Sequence, residues 1–237
     1  MYHSLIISGK NTWDEWHLVP TSRPIVNPPK VRTQYIDLPG GNGFIDLTEL
    51  LTGGPTYGSR TGSWAFIAHP DYHRTEPWNV KYQDILAYVH GKAHQIILED
   101  DPAYYYEGRL SVNQWQSGQN WSQVQIDYEL QPFKKEVISS IEPWLWDPFN
   151  FETGIIRDYR NLAVNGTLVL EVPGSSRPYA PTFQVTAAMT VTTSGGTEYE
   201  LLAGENTFGS LMIGPAGETL TFSGSGTVSV VYQGAWL

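Results

Sequence analysis

Apolar side chains recur at helical spacing in one segment of this chain, between residues 78 and 89. The residues that carry the period are Trp78, Tyr82, Ile85, Leu86 and Val89. Thr75 is placed to cap this helix, Pro77 to lie in its first turn and Gly91 to end it. The other apolar segments are short, and glycine or proline residues bound them. The sequence therefore predicts a mainly β fold with a single helix.

The first half of the chain contains short segments in which apolar and polar residues alternate, as they do in half-buried strands. The predicted strands cover residues 4–8, 31–38, 64–68, 93–98, 104–112 and 124–130. Residues 46–51 are long enough for a helical turn only. Prolines at positions 20, 24, 28 and 29 exclude a helix between residues 20 and 29 and favour an extended arm or an edge segment.

The composition changes after residue 161, where glycine, threonine, serine and valine dominate and Arg177 is the only basic residue. Predicted strands cover residues 167–172, 182–193, 198–202, 210–213, 219–223 and 227–233. Turns are predicted between them at residues 195–196, 214–215 and 224–226. Short strands and turns at this spacing are typical of a β-sandwich.

Residues 134–160 form a transition between these two regions. Residues 142–149 are rich in aromatic rings and broken by prolines, so we interpret them as a packed linker or as the first strand of the next domain. Pro132 marks the end of the preceding region. The sequence thus predicts an N-terminal domain over residues 1–135 and a C-terminal domain over residues 136–237.

Charge and composition argue against several classes of protein. Charged residues make up 16% of the 237 residues and aromatic residues 13%, which is the reverse of a disordered chain. Cysteine is absent, so neither a disulfide framework nor a thiolate metal site can form. The net charge of −10 argues against a general nucleic-acid binder. We see neither a secretory signal nor an apolar run long enough to span a membrane.

The run Glu99-Asp100-Asp101 is a candidate calcium site or source of a catalytic carboxylate. Neighbouring residues on a strand point to opposite faces, and Pro102 places the run at a strand end. We therefore interpret it as a solvated turn. Asp14 and Glu15 receive the same interpretation.

The histidines do not form a recognisable metal motif. His69 and His73 are separated by a proline, and His90 and His94 lie on either side of a glycine, so neither pair suits one face of a helix. The sequence also lacks a nucleophile elbow and a phosphate-binding loop. We accordingly expect no cofactor, no metal and no enzymatic activity.

Aromatic residues leave an alternative function open. Trp115, Trp121 and the run Tyr104-Tyr105-Tyr106 are able to stack on sugar rings, as exposed rings do in a lectin-like carbohydrate-binding module. The competing interpretation places Tyr104–Tyr106 partly in the core and partly at a subunit contact. A glycoside hydrolase, the third alternative, needs two carboxylates facing each other, and no such pair stands out.

An ordered set of segments across residues 10–133 resembles the N-terminal domain of siphophage distal tail proteins. The segments are Thr12–Pro20, Arg23-Pro24, Pro28, Ile36–Gly40, Gly43–Glu49, Tyr57, Arg60, His90-Gly91-Lys92, Asp100-Asp101-Pro102, Tyr105-Tyr106 and Gly108-Arg109. The region that follows is similar to that family's galectin-like domain in length, position and β character.

The resemblance implies both a fold and a role. It implies an N-terminal belt domain, which is a β-barrel-like sheet with one helix and an extended arm, and a C-terminal galectin-like β-sandwich. Six copies would close into a hexameric ring that joins the tail tube protein to the tail hub or fibre protein. The C-terminal domain would contact a receptor-binding protein or a host glycan. The chain would be made in the bacterial cytoplasm and reside in the virion, at the phage tail tip.

Ring closure needs a head-to-tail contact, to which a proline-containing arm or a sheet edge can contribute. We expect this contact at residues 13–29 and on the strand after the helix. The residues proposed for it are Trp13, Trp16, Arg23, Pro28, Tyr105 and Arg109. The inner face of such a ring lines a DNA channel, and the net charge of −10 predicts an acidic or neutral lining along which DNA slides without specific binding.

Overall fold

The computed structural model describes residues 3–50, 52–68, 77–118, 121–142 and 158–237. Contacts within the chain divide it into two compact units, Met1–Lys134 together with Leu237, and Lys135–Trp236. Strands dominate both units, which confirms the mainly β fold predicted from the sequence.

The first unit combines two helices with an antiparallel sheet. Its helices are α1 (Thr12–Trp16) and α2 (Trp78–Val89). Its strands are β1 (Leu5–Ile7), β2 (Lys10–Asn11), β3 (Leu18–Pro20), β4 (Val31–Arg32), β5 (Tyr35–Asp37), β6 (Phe44–Asp46), β7 (Thr56–Tyr57), β8 (Arg60–Ala68), β9 (Ala93–Leu98), β10 (Tyr104–Ser117) and β11 (Ser122–Leu130). Seven of these strands lie side by side in the order β2-β1-β9-β10-β11-β8-β3.

Helix α1 closes this sheet, because it connects β2 at one edge to β3 at the other. Its five residues span about 7.5 Å at a rise of about 1.5 Å per residue. A flat sheet of seven strands about 4.8 Å apart would be roughly 29 Å wide. The two edges must therefore approach each other, and the sheet curls nearly into a barrel.

The prediction of a single helix was wrong, since α1 is a second one. Asn11 caps α1, with its Oδ1 accepting hydrogen bonds from the amides of Trp13 at 2.8 Å and Asp14 at 3.4 Å. His17 ends it in the left-handed conformation, with φ of 51°. Five residues are too few to show a helical repeat, so the capping asparagine was the one available signal.

Helix α2 lies where the sequence predicts a helix and buries Trp78, Ile85 and Val89. The helix begins at Trp78, and Pro77 is its N-cap with φ of −60° and ψ of 134°. Pro77 therefore precedes the helix and does not lie in its first turn. Gly91, with φ of 72°, follows the C-cap as expected, whereas Thr75 lies outside the described residues.

The core of the first unit lies between α2 and the inner face of the curled sheet. Its fully buried side chains come from α2 and from strands on both sides of it, namely Leu5, Ile7, Leu18, Phe66, Ile85, Val89, Ile96, Leu110, Val124 and Ile126. The strand predicted over residues 31–38 is divided into β4 and β5, which pair with different partners. Residues 48–50 form a turn that follows β6, where a helical turn was predicted.

The second unit also consists mainly of β-strands. Its strands are β12 (Lys134–Glu136), β13 (Leu162–Val172), β14 (Thr182–Val185), β15 (Met189–Thr193), β16 (Glu198–Leu201), β17 (Gly204–Thr207), β18 (Glu218–Val231) and β19 (Ala235–Trp236). Six of them form one sheet in the order β16-β15-β18-β14-β17, with β13 on the other side of β18. β12 pairs with β19. The galectin-like sandwich stays a prediction.

Strand β18 runs through the residues predicted to form a turn, Gly224-Ser225-Gly226, so that prediction was wrong. β13 pairs with β18 on both sides of this segment without a change of register. Gly224 and Gly226 have φ of 149° and 145°, and a Cβ on Gly224 would lie 2.7 Å from the Cβ of Met189. The glycines here permit a close approach of neighbouring strands and do not reverse the chain.

Two further strand predictions for this unit need correction. The strand predicted over residues 182–193 is divided into β14 and β15, and the break lies opposite Gly226, beside Thr186 and Ala187. The strand predicted over residues 210–213 is reduced to a single bridge between Ile213 and Tyr179. Strand β17 was not predicted, because its polar residues do not alternate with apolar ones.

Candidate assembly surface

Residues 20–29, which we call the strap, are extended and are held against their own unit. The carbonyl of Ile25 accepts a hydrogen bond from Trp64 Nε1 at 2.8 Å. Asn27 donates its backbone N–H to Tyr128 Oη at 3.0 Å and its side-chain amide to the Thr61 carbonyl at 2.9 Å. Prolines remove backbone donors from this segment, so side chains of β8 and β11 supply most of its anchoring.

Arg60 is buried in the first unit and forms a hydrogen bond with the end of the strap. Its side chain is 5% exposed, its Nε donates to the Pro132 carbonyl at 2.8 Å, and its Nη1 donates to the Asn27 carbonyl at 3.1 Å. The guanidinium lies 5.5 Å from the centre of the Tyr106 ring. Burial lowers the pKa of Arg60, while the nearby Tyr106 and Tyr128 oppose that shift. Carbonyl oxygens and an aromatic face thus compensate part of the desolvation of this cation.

Residues 30–50 and 52–58 follow the strap and contain two small antiparallel pairs, and we call these residues the arm. β4 pairs with β7 at the base, and β5 pairs with β6 farther along. Neither pair has a third strand among the described residues. A two-stranded hairpin of this kind is marginally stable on its own in water.

The arm has its own local hydrogen bonds. Leu47 donates its N–H to the Gln34 carbonyl at 2.9 Å, and Gln34 donates its N–H to Thr48 Oγ1 at 3.0 Å. Asp46 Oδ1 accepts from the Thr48 amide at 2.8 Å, and hydrogen bonds from Thr48 lower the pKa of Asp46. The backbone of the hairpin is therefore defined without help from its apolar side chains.

Those apolar side chains point into solvent on both faces of the hairpin. Ile36 and Ile45 form a cross-strand pair on one face, and the rings of Tyr35 and Phe44 lie 4.4 Å apart on the other. Their exposed fractions are 50% and 48% for the isoleucines, 49% for Tyr35 and 57% for Phe44. Leu50 is 72% exposed nearby in sequence. Large apolar side chains exposed on both faces of one short hairpin favour a contact with another protein.

None of the six residues predicted to form the oligomer contact lies in the arm. Trp16 is 2% exposed, and its Nε1 donates to Asp84 Oδ2 at 2.7 Å. Tyr105 is also buried, so these two side chains present little surface to a neighbour.

The other four predicted contact residues are more accessible. Trp13 is half-buried beside His17, and Arg23, Pro28 and Arg109 are exposed. Arg23 Nε donates to Asp100 at 2.7 Å, and Arg109 donates to the Gly91 carbonyl. Sequence reasoning missed the arm as the main exposed surface, although the alternation of Tyr35-Ile36-Asp37 was a signal for it.

The acidic run at residues 99–101 ties distant segments together, so its interpretation as a solvated turn was incomplete. Glu99 Oε2 accepts from the Ser4 amide at 2.5 Å, and Asp101 pairs with Lys134 at 2.6 Å. Asp100 binds His3 at 2.9 Å and Arg23 at 2.7 Å. Burial acts to raise the pKa of Asp100, but hydrogen bonds and charge from His3 and Arg23 outweigh it and hold that pKa below its usual value.

The histidines that the structure describes have structural partners. His90 Nδ1 accepts from the Val112 amide at 3.1 Å, and His94 Nδ1 lies 3.0 Å from Ser8 Oγ. Burial lowers the pKa of His94. His69 and His73 lie outside the described residues. Within the described ranges, no group of three or more histidine and carboxylate side chains could hold a metal ion.

Most of the candidate aromatic residues favour packing over sugar stacking, whereas Trp121 is exposed. Tyr106 belongs to the core, and Tyr104 lies 4.1 Å from the Lys134 ammonium. Trp115 is 47% exposed, but one face of its ring stacks on Tyr82 at 4.8 Å. In the described part of the second unit, every aromatic ring is buried or half-buried.

The outer face of the main sheet is polar and carries little positive charge. Alternation places Gln123, Gln125, Asp127 and Glu129 of β11 on this face, next to Arg109 of β10. Arg109 is the one basic side chain that β8, β10 and β11 contribute to it. No helix among the described residues is long and apolar enough to cross a membrane.

These features define an antiparallel β protein of two units, in which a nearly closed sheet carries an exposed apolar arm. This fold is similar to the crystal structure of SPP1 Dit (gp 19.1), described as a paradigm of the hub adsorption apparatus in phages that infect Gram-positive bacteria. The likeness covers 100% of both chains with a TM-score of 0.63 at 11% sequence identity. The resemblance to distal tail proteins found in the sequence is thereby confirmed at the level of the fold. No protein-family model and no curated protein sequence matches the chain.

Proposed function

We propose that this chain is a structural protein of the tail tip of a long, non-contractile-tailed phage. In this proposal it forms a hexameric ring that connects the tail tube protein to the hub or fibre protein. The observation that carries the proposal is the likeness to SPP1 Dit over the full length of both chains. The ordered sequence segments across residues 10–133 support it independently.

The arm supplies the contact that closes the ring. A head-to-tail interface joins two different surfaces, so a projecting hairpin on one copy and a receiving surface on the next satisfy it. Covering Ile36, Ile45 and Phe44 on a neighbour removes their apolar surface from water. The exposed predicted residues Arg23 and Pro28 lie in the adjoining strap and extend this contact.

The outer face of the main sheet faces the DNA channel. Glutamine and carboxylate side chains on β11 give DNA few positive charges to bind, so the duplex passes without being held. The second unit lies outside the channel and contacts a receptor-binding protein or a host glycan. The chain is made in the bacterial cytoplasm and resides in the virion.

Mass measurement of the purified chain, followed by negative-stain imaging, tests the ring. We expect hexameric rings with a central channel. A lone monomer at every concentration, in a sample that also fails to join purified tail tubes, would contradict the ring. Absence of the chain from purified virions would contradict the tail-tip role itself.

A further inference from the structure

Strand β13 has one free edge. It pairs with β18 over its whole length of 11 residues, and no described strand pairs with its other side. Strands β16 and β17 also end the sheet, but each has four residues. The side-chain amide of Asn206, in β17, donates hydrogen bonds to the carbonyls of Leu202 and Gly204. This side chain therefore occupies part of the edge that β16 and β17 form. Among the described residues of the second unit, β13 therefore forms the longest open edge.

Two hydrogen bonds show which backbone groups of β13 point away from β18. Thr227, the partner of Ala163, exchanges hydrogen bonds with Thr186 on the opposite side of β18, with its N–H donating to Thr186 Oγ1 at 2.8 Å. Antiparallel pairs alternate, so Ala163 directs its own backbone groups outward. The same alternation directs the backbone groups of Glu171, near the other end of β13, outward. Its carbonyl accepts a hydrogen bond from Tyr159 Oη at 2.8 Å, which agrees with this direction. The outward groups between them belong to residues 165, 167 and 169.

The edge lacks the usual protection against pairing. Natural edges carry lysine, proline or an inward charge that prevents another strand from joining. β13 contains none of these, and its one charged residue is Glu171. Val169 is 60% exposed on the solvent side, and Leu168 and Leu170 are half-buried on the core side. An added strand would complete the cover over these leucines.

Charge indicates the kind of partner. Residues 162–237 contain five glutamates and one arginine, Arg177, while Arg160 precedes the strand. A second copy would bring two acidic units together. We propose that the free edge of β13 binds an extended segment of another protein, with apolar residues on its core side and lysine or arginine on its solvent side near Glu171. Backbone hydrogen bonds provide the binding, and the charges select the partner.

The test uses the full chain and a fluorescent synthetic peptide that alternates valine with threonine and begins with a pair of lysines. We expect saturable binding, and at least about tenfold weaker binding when glutamates replace the lysines. Val169→Pro removes one outward N–H without removing a bond to β18, so it should weaken binding about tenfold. Val169→Thr is the matched control and should change affinity less than about threefold. Glu171→Gln should reduce the preference for the basic peptide.

Hydrogen exchange on the free chain provides the second measurement. The amides of residues 163, 165, 167 and 169 should exchange quickly and become protected when the peptide binds. Equal binding of the acidic and basic peptides would overturn the proposal, as would unchanged binding to a folded Val169→Pro variant. Slow exchange of these amides in the free monomer would show that the chain covers its own edge. Dimerisation through β13 would show that the occupant is a second copy. All these measurements apply to the isolated chain, so they are independent of ring formation.

Discussion

The carboxylate of Glu136 accepts a hydrogen bond from Trp236 Nε1 at 3.1 Å, across 100 residues of sequence. The same carboxylate accepts from the Gly234 amide at 3.2 Å, and its residue is 8% exposed. It thereby joins β12, where the second unit begins, to β19, where that unit ends.

We expect Glu136→Ala to destabilise the second unit, because it removes the acceptor of the buried Gly234 amide, at about 1–3 kcal/mol, and that of the partly buried Trp236 Nε1. Glu136→Gln keeps one acceptor oxygen and should lose less. Urea unfolding followed by circular dichroism measures the difference. Equal stability of the alanine variant and the unaltered chain would show that water replaces this acceptor.

Charges placed on the arm should prevent assembly without unfolding the chain. In Ile36→Asp with Ile45→Asp, the two carboxylates would be desolvated when a neighbour covers the hairpin, so we expect rings to be lost. The free energy of unfolding should change by less than about 0.5 kcal/mol, as for exposed positions generally. Asn42→Asp, in the turn of the same hairpin, is the matched control and should still form rings. Rings formed by the double variant would place the contact elsewhere.

Mild acid should destabilise the first unit through His94. Burial lowers the pKa of His94 below its ordinary value of 6.5, so the unfolded chain binds a proton more readily than the folded one. The contribution of His94 to stability is complete above pH 6.5 and declines as the pH falls from there towards the folded pKa. Unfolding free energies at pH 8 and pH 5 should therefore differ less for His94→Gln than for the unaltered chain. An identical pH difference in both proteins would assign the acid sensitivity to other groups.

A methyl group on Gly224 should be poorly tolerated, since its Cβ would lie 2.7 Å from that of Met189 and the residue has φ of 149°. We expect Gly224→Ala to cost roughly 1–3 kcal/mol through strain and overpacking. Gly209→Ala is the matched control, because no atom lies within 4 Å of its added Cβ. Thermal unfolding of both variants makes the comparison. Similar midpoints would mean that β18 shifts to make room.

Positive charge on the outer face of the main sheet should slow DNA release. Gln125→Lys with Asp127→Lys would place cations where the channel is proposed, and phosphates would bind them. We expect phage carrying these changes to eject DNA more slowly, with the defect relieved by salt. Glu200→Lys, exposed on the second unit, should not affect ejection. A normal ejection rate in the double variant would remove this face from the channel.

Elements with a clear period or composition were predictable, and those that depend on distant partners were not. Helix α2 followed from the spacing of Trp78, Ile85 and Val89, which is a local property. The path of β18 through Gly224 and Gly226 was missed, because glycines at these positions are compatible both with a turn and with a close contact between strands. The neighbouring Met189 decides between them, and no local pattern identifies it.

The candidate site shows the same division. The proline content of residues 20–29 correctly indicated extended chain, but only Trp64, Tyr128 and Arg60 reveal that this chain is bound to its own unit. The alternation in residues 35–37 predicted a strand and left its environment undetermined. Both faces of the hairpin are exposed because no described element packs against either of them, and this depends on the tertiary fold.

The pairing of β1 with the distant strand β9 has a consequence for biosynthesis. Leu5 and Ile7 are translated before the other strands of the sheet, yet their partner β9 follows roughly 90 residues later, and His3 and Asp100 are separated by 97. At about 5–20 residues per second, the nascent chain holds these apolar residues unpaired for roughly 5 to 20 s. The first unit therefore pairs all strands of its main sheet only after β11 has been translated, and until then the nascent chain exposes apolar residues of its core.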